Sequence, residues 1–592
     1  MTQNLRGYAN TCSNQIFESL PTGFKDTMTT TNLEQEPVWN KALSTPKEDE
    51  TNSLPTEKLN STADCEAAVH QDTADTRIQQ GDDVYLHGPP LVLMTLSLMV
   101  GVLMISLDTS IIATAIPKIT SKFDSLGDVA WYASAYLLTQ LSAQPAFGKI
   151  YTFWNLKWVY LASSMIFEAG SILCAAAPSS PVFIIGRAIA GLGAAGVFCG
   201  AMIIISRIVE MRKRPLLLAI VASMYGISSV IGPSLGGVFT HSKQLTWRFC
   251  FWINLPLGAL MAAIIVLYYP LSLGEAPNKD KPIKEKILGL GLRSSALLAG
   301  TLVCLFLALQ NGGSVYPWSD SRVWGCLLGF GLLLVLFTYI QIRQGEAALI
   351  KPRISSQRSV FLGCMFAAFY QGAMTTQTYH LPFYFQAVKG VNPQVSGINI
   401  LPHGVTTTVA TLIAGSIITW LGYYVPFMWI GSAIFTTGAG LLYTIDQGTP
   451  LAQWFGFEVL AGAGFGMAIQ IPVSAVQVVL STTDIPLGTV LVIISQALGG
   501  SVGLSISQNV FQNSLRQRLK DISGIDVGAV IAVGGIDLEH IVPSEKLSYV
   551  RNAFRYGVSN AFIVSTSLAG AAFLASIGME RRKIKSKKDR RI

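Results

Sequence analysis

The chain has 592 residues, of which 51% are hydrophobic and only 13% are charged, and its formal net charge is +8. Soluble domains carry about 25% charged residues, so this composition, with a mean hydropathy of +0.46, excludes an ordinary soluble protein and predicts an integral membrane protein. Basic segments beside a membrane are attracted to anionic lipid, and this explains the positive charge without nucleic-acid binding.

The two ends of the chain are polar. Residues 1–88 contain no apolar stretch that resembles a signal sequence, and we predict a disordered cytosolic tail there. Residues 581–592 are densely basic and predict a second cytosolic tail beside the membrane. Cys12 and Cys65 lie in the first tail and the other six cysteines in or beside apolar runs, without a CxxC pair. We therefore expect small buried side chains and no metal site.

Between the tails lie about fourteen apolar runs, each near the length of roughly 20 residues that a helix needs to cross a bilayer. They cover about residues 91–114, 129–148, 158–177, 182–206, 215–238, 249–270, 288–309, 323–343, 359–386, 397–421, 425–445, 452–476, 487–511 and 557–580. An even number of spans places both termini on one side, and the basic residues after the fourth, sixth and eighth spans predict that this side is cytosolic. Residues 512–556 then form a long external loop.

Two opposite charges are predicted at a similar depth in the membrane. Asp108 lies about 9 Å from the outer end of the first span, and Arg187 enters the fourth span to roughly 8 Å from the same side. A charge inside a bilayer costs at least about 2.5 kcal/mol, so both side chains are expected to face a cavity or the bundle interior, where the two charges could pair. The pair either takes part in transport chemistry or is a structural ion pair that orients two helices.

The fifth span contains residues that disfavour a helix, namely Gly226, Gly232, Pro233, Gly236 and Gly237. In a helix interior a glycine costs about 1 kcal/mol and a proline about 3 kcal/mol. Such a helix persists in a membrane where neighbouring helices approach the glycines closely and satisfy the freed backbone groups. This composition predicts a flexible helix at a moving seam.

Three segments resemble motifs of the major facilitator superfamily, in the order expected for that family. Residues 107–117 resemble the LDxT first-helix motif of the fourteen-span drug:H+ antiporters, residues 187–196 the RxxxGxG fourth-helix motif, and residues 226–237 the GPxxGG antiporter motif. Residues 131–138, 247–258 and 380–386 further resemble fungal members that export toxins and other secondary metabolites. The resemblance covers about residues 90–580.

The resemblance implies an all-α membrane fold of two six-helix bundles plus two extra transmembrane helices. The implied divisions are a bundle at 89–270, a linker with the two extra helices at 271–343 and a bundle at 344–580. It also implies proton-coupled export of a small hydrophobic or amphipathic molecule by alternating access, by a monomer in the plasma membrane or the vacuolar membrane, with protons as the second partner. No cofactor and no enzymatic activity are implied, and the sequence contains no P-loop for ATP.

Two alternatives to export remain at this point. Related fourteen-span carriers import organic solutes such as iron-chelating siderophores, and a carrier scaffold can also serve as a membrane sensor without transport.

The chain departs from the family in one motif associated with gating: the family usually has GxxxDRxGRR after the second span, whereas this chain has Gly148 followed by Thr152 in place of the aspartate. The usual Asp-based salt bridge therefore cannot be assumed here.

Carriers of this kind are built from two related halves, and the sequence contains faint echoes between them. Gly148-x-x-x-Thr152 recurs as Gly415-x-x-x-Thr419. The spacing of Arg187 and the two following glycines recurs in the twelfth span, where Glu458 takes the place of the arginine. We therefore predict that Glu458 is a second titratable group beside the transport pathway.

Other polar residues have two readings each. Glu168 in the third span either carries a proton or makes a packing hydrogen bond. His380 and His403 either titrate near neutral pH or are satisfied histidines between helices. Uncharged polar and aromatic residues in the second half suit an apolar pocket with a few orienting groups, although contacts between helices explain each one equally well. These cavity candidates are Gln371, Gln377, Tyr379, Tyr384, Gln386, Gln470 and Gln496.

Overall fold

The computed structural model describes residues 85–584, apart from 124, 126–127, 243, 276–281, 314–315, 534–537 and 539–541. Every regular element in that part of the chain is a helix, and β-pairing is confined to two isolated bridges. Most of the predicted tails, residues 1–84 and 585–592, lies outside the described residues, as do Cys12 and Cys65.

Fourteen long helices lie within the described residues. In chain order they are α1 (Pro89–Phe123), α2 (Val129–Phe153), α3 (Leu156–Ala176), α4 (Ser180–Ile208), α5 (Arg214–His241), α6 (Asn254–Tyr268), α7 (Leu292–Asn311), α8 (Ser321–Gln344), α9 (Arg358–Phe383), α10 (Pro393–Leu421), α11 (Val425–Tyr443), α12 (Leu451–Ala468), α13 (Ile485–Lys520) and α14 (Ser544–Ile577). A short helix, Phe249–Trp252, precedes α6, a π-helical turn, Tyr384–Val388, continues α9, and a second segment, Ile471–Val479, continues α12.

Twelve helices in the described part of the chain are long and apolar enough to cross a membrane. The two other long helices, α2 and α9, have 25 and 26 residues but contain more polar side chains. Several of these polar groups, including Gln144 on α2 and Gln377 on α9, are buried against other helices instead of facing lipid. The all-helical membrane fold is thus confirmed, while membrane crossing by α2 and α9 stays a prediction.

The helices pack in two groups. In the N-half, α4 packs against α2 and α3, and α1 packs against α5 and α6; in the C-half, α9 packs against α13 and α14, α11 against α12 and α14, and α10 against α12. The groups meet where α5 contacts α10 and where α2 contacts α13. The pair α7 and α8 rests on α2, through a hydrophobic cluster that includes Leu138, Leu302 and Phe337.

Equivalent glycines pack in the same way in both halves. After each of the charged residues Arg187 and Glu458, two glycines lie so close to neighbouring helices that a Cβ atom would overlap the facing backbone. The contacts pair Gly191 with the Tyr136 carbonyl and Gly193 with Phe167 in the N-half, and Gly462 with the His403 carbonyl and Gly464 with Phe435 in the C-half. The echo in the sequence therefore corresponds to matching helix contacts, which place Arg187 and Glu458 at equivalent positions.

The predicted external loop at 512–556 is largely helical, which corrects that boundary. Helix α13 continues to Lys520, α14 begins at Ser544, and a short helix, Val527–Val533, lies between them. Leu515 and Leu519 are buried on one face of α13, and this continued apolar stripe extends the helix beyond its most apolar part. A count of apolar residues along a stretch of sequence does not detect such a stripe, because exposed arginines lie between the apolar residues.

Candidate functional site

Asp108 on α1 and Arg187 on α4 form a buried ion pair. Arg187 Nη1 lies 2.5 Å from Asp108 Oδ2, and the exposed fractions of the two side chains are 1% and 0%. Arg187 Nε donates to the Tyr132 carbonyl oxygen at 2.9 Å, and the guanidinium carbon lies 4.4 Å from the centre of the Tyr136 ring. The predicted pairing of the two charges is confirmed, and Arg187 also joins α4 to α2.

Asn254 supports the second oxygen of Asp108, a contact that the sequence did not reveal. Its Nδ2 lies 3.5 Å from Asp108 Oδ1 and donates to Ser171 Oγ on α3 at 3.1 Å. Asn254 is fully buried at the start of α6, and its own Oδ1 has no hydrogen-bond partner among the described residues. A buried amide in an apolar run was the available signal, because buried polar groups usually have partners.

Glu168 on α3 lies beside this cluster. Its carboxyl group occupies the space in front of Gly258 on α6, where a Cβ atom would collide with Oε1. Both carboxyl oxygens are buried and have no hydrogen-bond partner in the described part of the chain. The packing hydrogen bond that we weighed for Glu168 is therefore absent in this conformation, and an unpartnered acid remains near Asp108.

Glu458 on α12 is the corresponding feature of the C-half. Its side chain is fully buried, and neither carboxyl oxygen has a hydrogen-bond partner within the described residues. The ring of His403 on α10 lies against it, with Nδ1 3.3 Å from the Glu458 backbone oxygen and Nε2 3.0 Å from Met374 Sδ. His380, by contrast, has its Nδ1 2.8 Å from the Thr376 carbonyl oxygen of its own helix, and its Nε2 is buried without a hydrogen-bond partner among the described residues.

Within the described residues, the side-chain contacts of the seven cavity candidates go to different partners. Gln377 donates to Ser565 Oγ on α14 at 2.9 Å, and the Tyr384 hydroxyl donates to the Asp446 carbonyl oxygen at 2.9 Å, so both buried residues join C-half helices. Gln371 contacts Thr375, Gln386 contacts Ser396, and Gln496 contacts Ile469. Gln470 lines a small cavity between α5, α10 and α12, and Tyr379 is exposed. The structure thus favours helix contacts for most of the set.

The glycines of α5 face different neighbours. A Cβ atom at Gly232 would lie 2.6 Å from Ser110 Cβ, and one at Gly236 would collide with Thr114, so these two glycines let α5 approach α1. Gly226 instead faces Thr408 on α10, across the junction of the halves, whereas a Cβ atom at Gly237 would meet no atom within 4 Å. Despite Pro233, α5 is one continuous helix of 28 residues.

The halves are held together at the face that carries Arg212, Lys213, Lys351 and Arg353, which we call the basic face. Arg212 Nε donates to the Thr419 carbonyl oxygen at the end of α10 at 3.0 Å. Gly415 on α10 packs against Ala219 and the Pro215 carbonyl of α5, and Gly148 on α2 packs against Val490 of α13. At the opposite face, a Cβ atom at Gly397 of α10 would meet no atom within 4 Å.

Thr152 stands where the family usually has an aspartate, and its hydroxyl donates to the Lys149 carbonyl oxygen of its own helix at 2.7 Å. A carboxylate at the basic face comes instead from Asp484, which directly precedes α13. Asp484 accepts from Arg353 Nη2 at 2.8 Å and Lys351 Nζ at 3.1 Å, and Arg353 also contacts Glu346. The basic face thus carries a charged contact on the C-half, whereas Thr152 on α2 supplies none.

Burial alone would raise the pKa of the Asp484 carboxyl group, but hydrogen bonds from Arg353, Lys351 and Ser481 outweigh this effect and lower the pKa from its ordinary value of 3.8. The same contact raises the pKa of the Arg353 guanidinium. Lys149 on α2 links the N-half to the segments that flank α7 and α8. Its Nζ donates to the Gly289 carbonyl oxygen at 2.9 Å and to the Ala347 carbonyl oxygen at 2.7 Å.

Known proteins resemble the chain over most of its length. Residues 98–504 match the family model of the Major Facilitator Superfamily. The chain is 44% identical over 516 residues to the MFS-type transporter ltbE of Aspergillus luteorubrus, which covers 87% of this chain and 94% of that protein. It is 40% identical over 500 residues to the efflux pump roqT of Penicillium rubens, and the alignment covers 84% of this chain and 91% of that protein. The MFS-type efflux pump MFS1 of Trichophyton rubrum is 39% identical over 507 residues, with 85% and 94% covered.

A solved structure shares the fold. The proton:xylose symporter XylE, bound to 6-bromo-6-deoxy-D-glucose, matches with a TM-score of 0.55 at 13% identity, over 84% of this chain and 98% of that one. At so low an identity the similarity concerns the fold alone. The fold, the family match and the fungal relatives agree: this multi-pass membrane protein belongs to the Major Facilitator Superfamily.

Proposed function

We propose that the protein exports hydrophobic or amphipathic small molecules in exchange for protons, by alternating access of a single monomer. The observation that carries the proposal is the Asp108–Arg187 ion pair, which lies fully buried among helices of the N-half. Two of the relatives described above are named as efflux pumps, which supports export over import and over a sensor without transport. Transport of this kind needs no enzymatic chemistry.

The geometry suggests how protonation is linked to helix movement. While Asp108 is ionised, Arg187 holds α1 to α4, and protonation of the carboxylate removes the charge that binds the guanidinium. Ser110, two residues further along α1, contacts Gly232 of α5, and α5 in turn contacts α10 through Gly226. A shift of α1 would therefore reach the junction between the halves through packed helices. Glu168 and Glu458 are additional candidates for proton binding.

The proposed orientation places the basic face in the cytosol, because cytosolic loops are enriched in lysine and arginine. Both termini are then cytosolic, and we propose the plasma membrane as the location. The contacts at the basic face correspond to a conformation closed toward the cytosol, in which the helices of 89–270 and 344–580 act as two moving halves. Helix α7, in the segment between these halves, lies against α2 and α13, and α8 packs on α7.

Inside-out vesicles with an imposed pH gradient test this proposal. Vesicles that contain the protein are offered a panel of lipophilic dyes and drugs, and we expect accumulation that collapses when the gradient is removed. Asp108→Asn should strongly reduce the gradient-driven part of accumulation, whereas the exposed Asp521→Asn serves as a matched control and should leave it unchanged. Dye accumulation that does not depend on the pH gradient would overturn the proposal, as would equal accumulation in wild type and Asp108→Asn.

A further inference from the structure

The two halves carry a basic residue and an acidic residue at one equivalent position. Arg187 is the eighth residue of α4 and Glu458 is the eighth residue of α12, and the glycines that follow each residue make matching contacts with the neighbouring helices. The equivalence extends to the aromatic side chain beside each charge, which belongs to Tyr136 in the N-half and His403 in the C-half. The comparison between halves therefore identifies a second polar centre in the C-half.

The two centres differ in how their charge is balanced. Arg187 has a carboxylate, a backbone carbonyl and an aromatic ring around its guanidinium. No described residue forms an ion pair with Glu458. Its carboxyl oxygens make no hydrogen bond of normal geometry, although the His403 backbone N–H lies close enough to interact with the carboxyl group. An ionised carboxylate that is buried without a partner is strongly unfavourable, and such a group takes up a proton instead.

The titratable groups that face Glu458 come from two elements. His403 lies on α10, and Tyr384, which follows α9, is within electrostatic range but donates its hydroxyl proton to the Asp446 carbonyl oxygen. Both ring nitrogens of His403 face acceptors, namely the Glu458 backbone oxygen and Met374 Sδ. The ring can therefore hold a proton at either nitrogen, and it contacts the backbone of the residue that carries the carboxyl group.

We propose that Glu458 and His403 form a second proton site in the C-half, independent of Asp108, so that each export cycle exchanges two protons. In the conformation described here the Glu458 carboxyl group is protonated and His403 is neutral. When α10 and α12 rearrange, the carboxyl group loses its proton through the imidazole to water and becomes a carboxylate. The inference rests on the proposed function, since it assigns a stoichiometry to the same proton-coupled export.

The stoichiometry is measurable in proteoliposomes that contain the purified full-length protein and one transported dye from the panel. At steady state, the logarithm of dye accumulation rises in proportion to the imposed pH difference, with a slope equal to the number of coupled protons when the membrane potential is clamped at zero. We expect a slope of two for wild type and of one for Glu458→Gln, which resembles the protonated acid in shape. Glu545→Gln, at an exposed position of α14, is the matched control and should retain the wild-type slope.

Dye counterflow without a pH gradient separates proton binding from cargo binding and folding. Glu458→Gln should still exchange dye, because a neutral side chain at this position is compatible with the conformation described here. A wild-type slope in Glu458→Gln would overturn the inference. Loss of counterflow, or a defect confined to cationic dyes, would also overturn it, because Glu458 would then serve packing or cargo binding. A zero slope in the wild-type protein would instead overturn the proposed function itself.

The contribution of His403 has its own readout. His403→Asn keeps a hydrogen-bonding side chain but removes the group that receives the proton, so we expect the slope of two to persist while the exchange rate falls. The pH dependence of that rate should change in His403→Asn and remain unchanged in His380→Asn, because His380 is bonded to its own helix and lies against Phe511. An unchanged pH profile in His403→Asn would contradict a role for His403 in proton transfer.

Discussion

Gly258 on α6 leaves the space that the carboxyl group of Glu168 on α3 occupies, and no described residue donates a hydrogen bond to that carboxyl group. The acid is therefore held by shape instead of by a polar partner. Asn254 lies one helical turn before Gly258 on the same helix and bridges Ser171 and Asp108. Because Gly258 has no side chain, the contact between α3 and α6 leaves room for the Glu168 carboxyl group beside the ion pair.

Gly258→Ala should destabilise the protein because the added methyl group collides with the Glu168 carboxyl group. Overpacking of this kind costs about 1–3 kcal/mol, and the midpoint of thermal unfolding in detergent should fall accordingly. Glu168→Ala in the same chain removes the collision, so the double variant should be more stable than Gly258→Ala alone. Equal stability of the single and double variants would show that Glu168 moves aside freely.

Breaking the Asp108–Arg187 pair from one side should be more costly than replacing both partners. Asp108→Asn leaves the Arg187 guanidinium buried without a counter-charge, and such a change costs about 3–5 kcal/mol. Adding Arg187→Met removes the unbalanced charge, so the double variant should recover part of the lost stability. Thermal unfolding of the four proteins of this double-mutant cycle measures the coupling, and additive losses would contradict a direct ion pair.

The depth of polar residues was predictable from the sequence, whereas the direction of their side chains was not. The rise per residue of a helix is constant, so Asp108 and Arg187 could be placed at one level before the fold was known. Which neighbour a side chain meets depends on the rotation of each helix against the others. The sequence therefore left Gln377 and Tyr384 between a cavity and a contact with another helix, and the structure gives both residues partners on other C-half elements.

The difference between the depth of a residue and the direction of its side chain also explains why the sequence did not predict the contacts of each glycine or the ends of the helices. Spacing indicated that α5 is packed closely, but only the structure separates the contacts of Gly226 and Gly232 from the open position of Gly237. The extension of α13 beyond the predicted span depends on Leu515 and Leu519, whose burial requires the neighbouring chain segments. Composition sets the membrane-spanning core of a helix, and tertiary contacts decide where the helix ends.

The glycines of α5 should therefore differ in their tolerance of a methyl group. Gly232→Ala would force α5 away from Ser110 on α1, and we expect export to fall by about tenfold, which corresponds to about 1.4 kcal/mol of misfit in the transport barrier. Gly237→Ala is the matched control, since its methyl group meets no atom within 4 Å. Dye accumulation in vesicles, normalised to protein content, compares the two. Equal export by both variants would contradict a role for close α1–α5 packing.

The contacts of Asp484 should make the basic face sensitive to acid. Because the pKa of Asp484 is lower in the folded protein than its ordinary value of 3.8, its contribution to stability is fully present above that value and is lost as pH falls through the folded pKa. We therefore expect wild type to unfold at a higher temperature than Asp484→Asn at neutral pH, with a difference that shrinks as the pH is lowered below about 4.

Thermal unfolding in detergent across this pH range measures the difference, and Asp526→Asn, in an exposed segment, is the control for loss of a carboxylate elsewhere. Hydrogen exchange near Arg353 should also increase in Asp484→Asn at neutral pH, because that guanidinium loses one of its two carboxylate partners. A difference between wild type and Asp484→Asn that is constant with pH would mean that Asp484 stabilises α13 by packing instead of by charge. In that case the ion pairs of Asp484 with Lys351 and Arg353 would not contribute to the stability of the basic face.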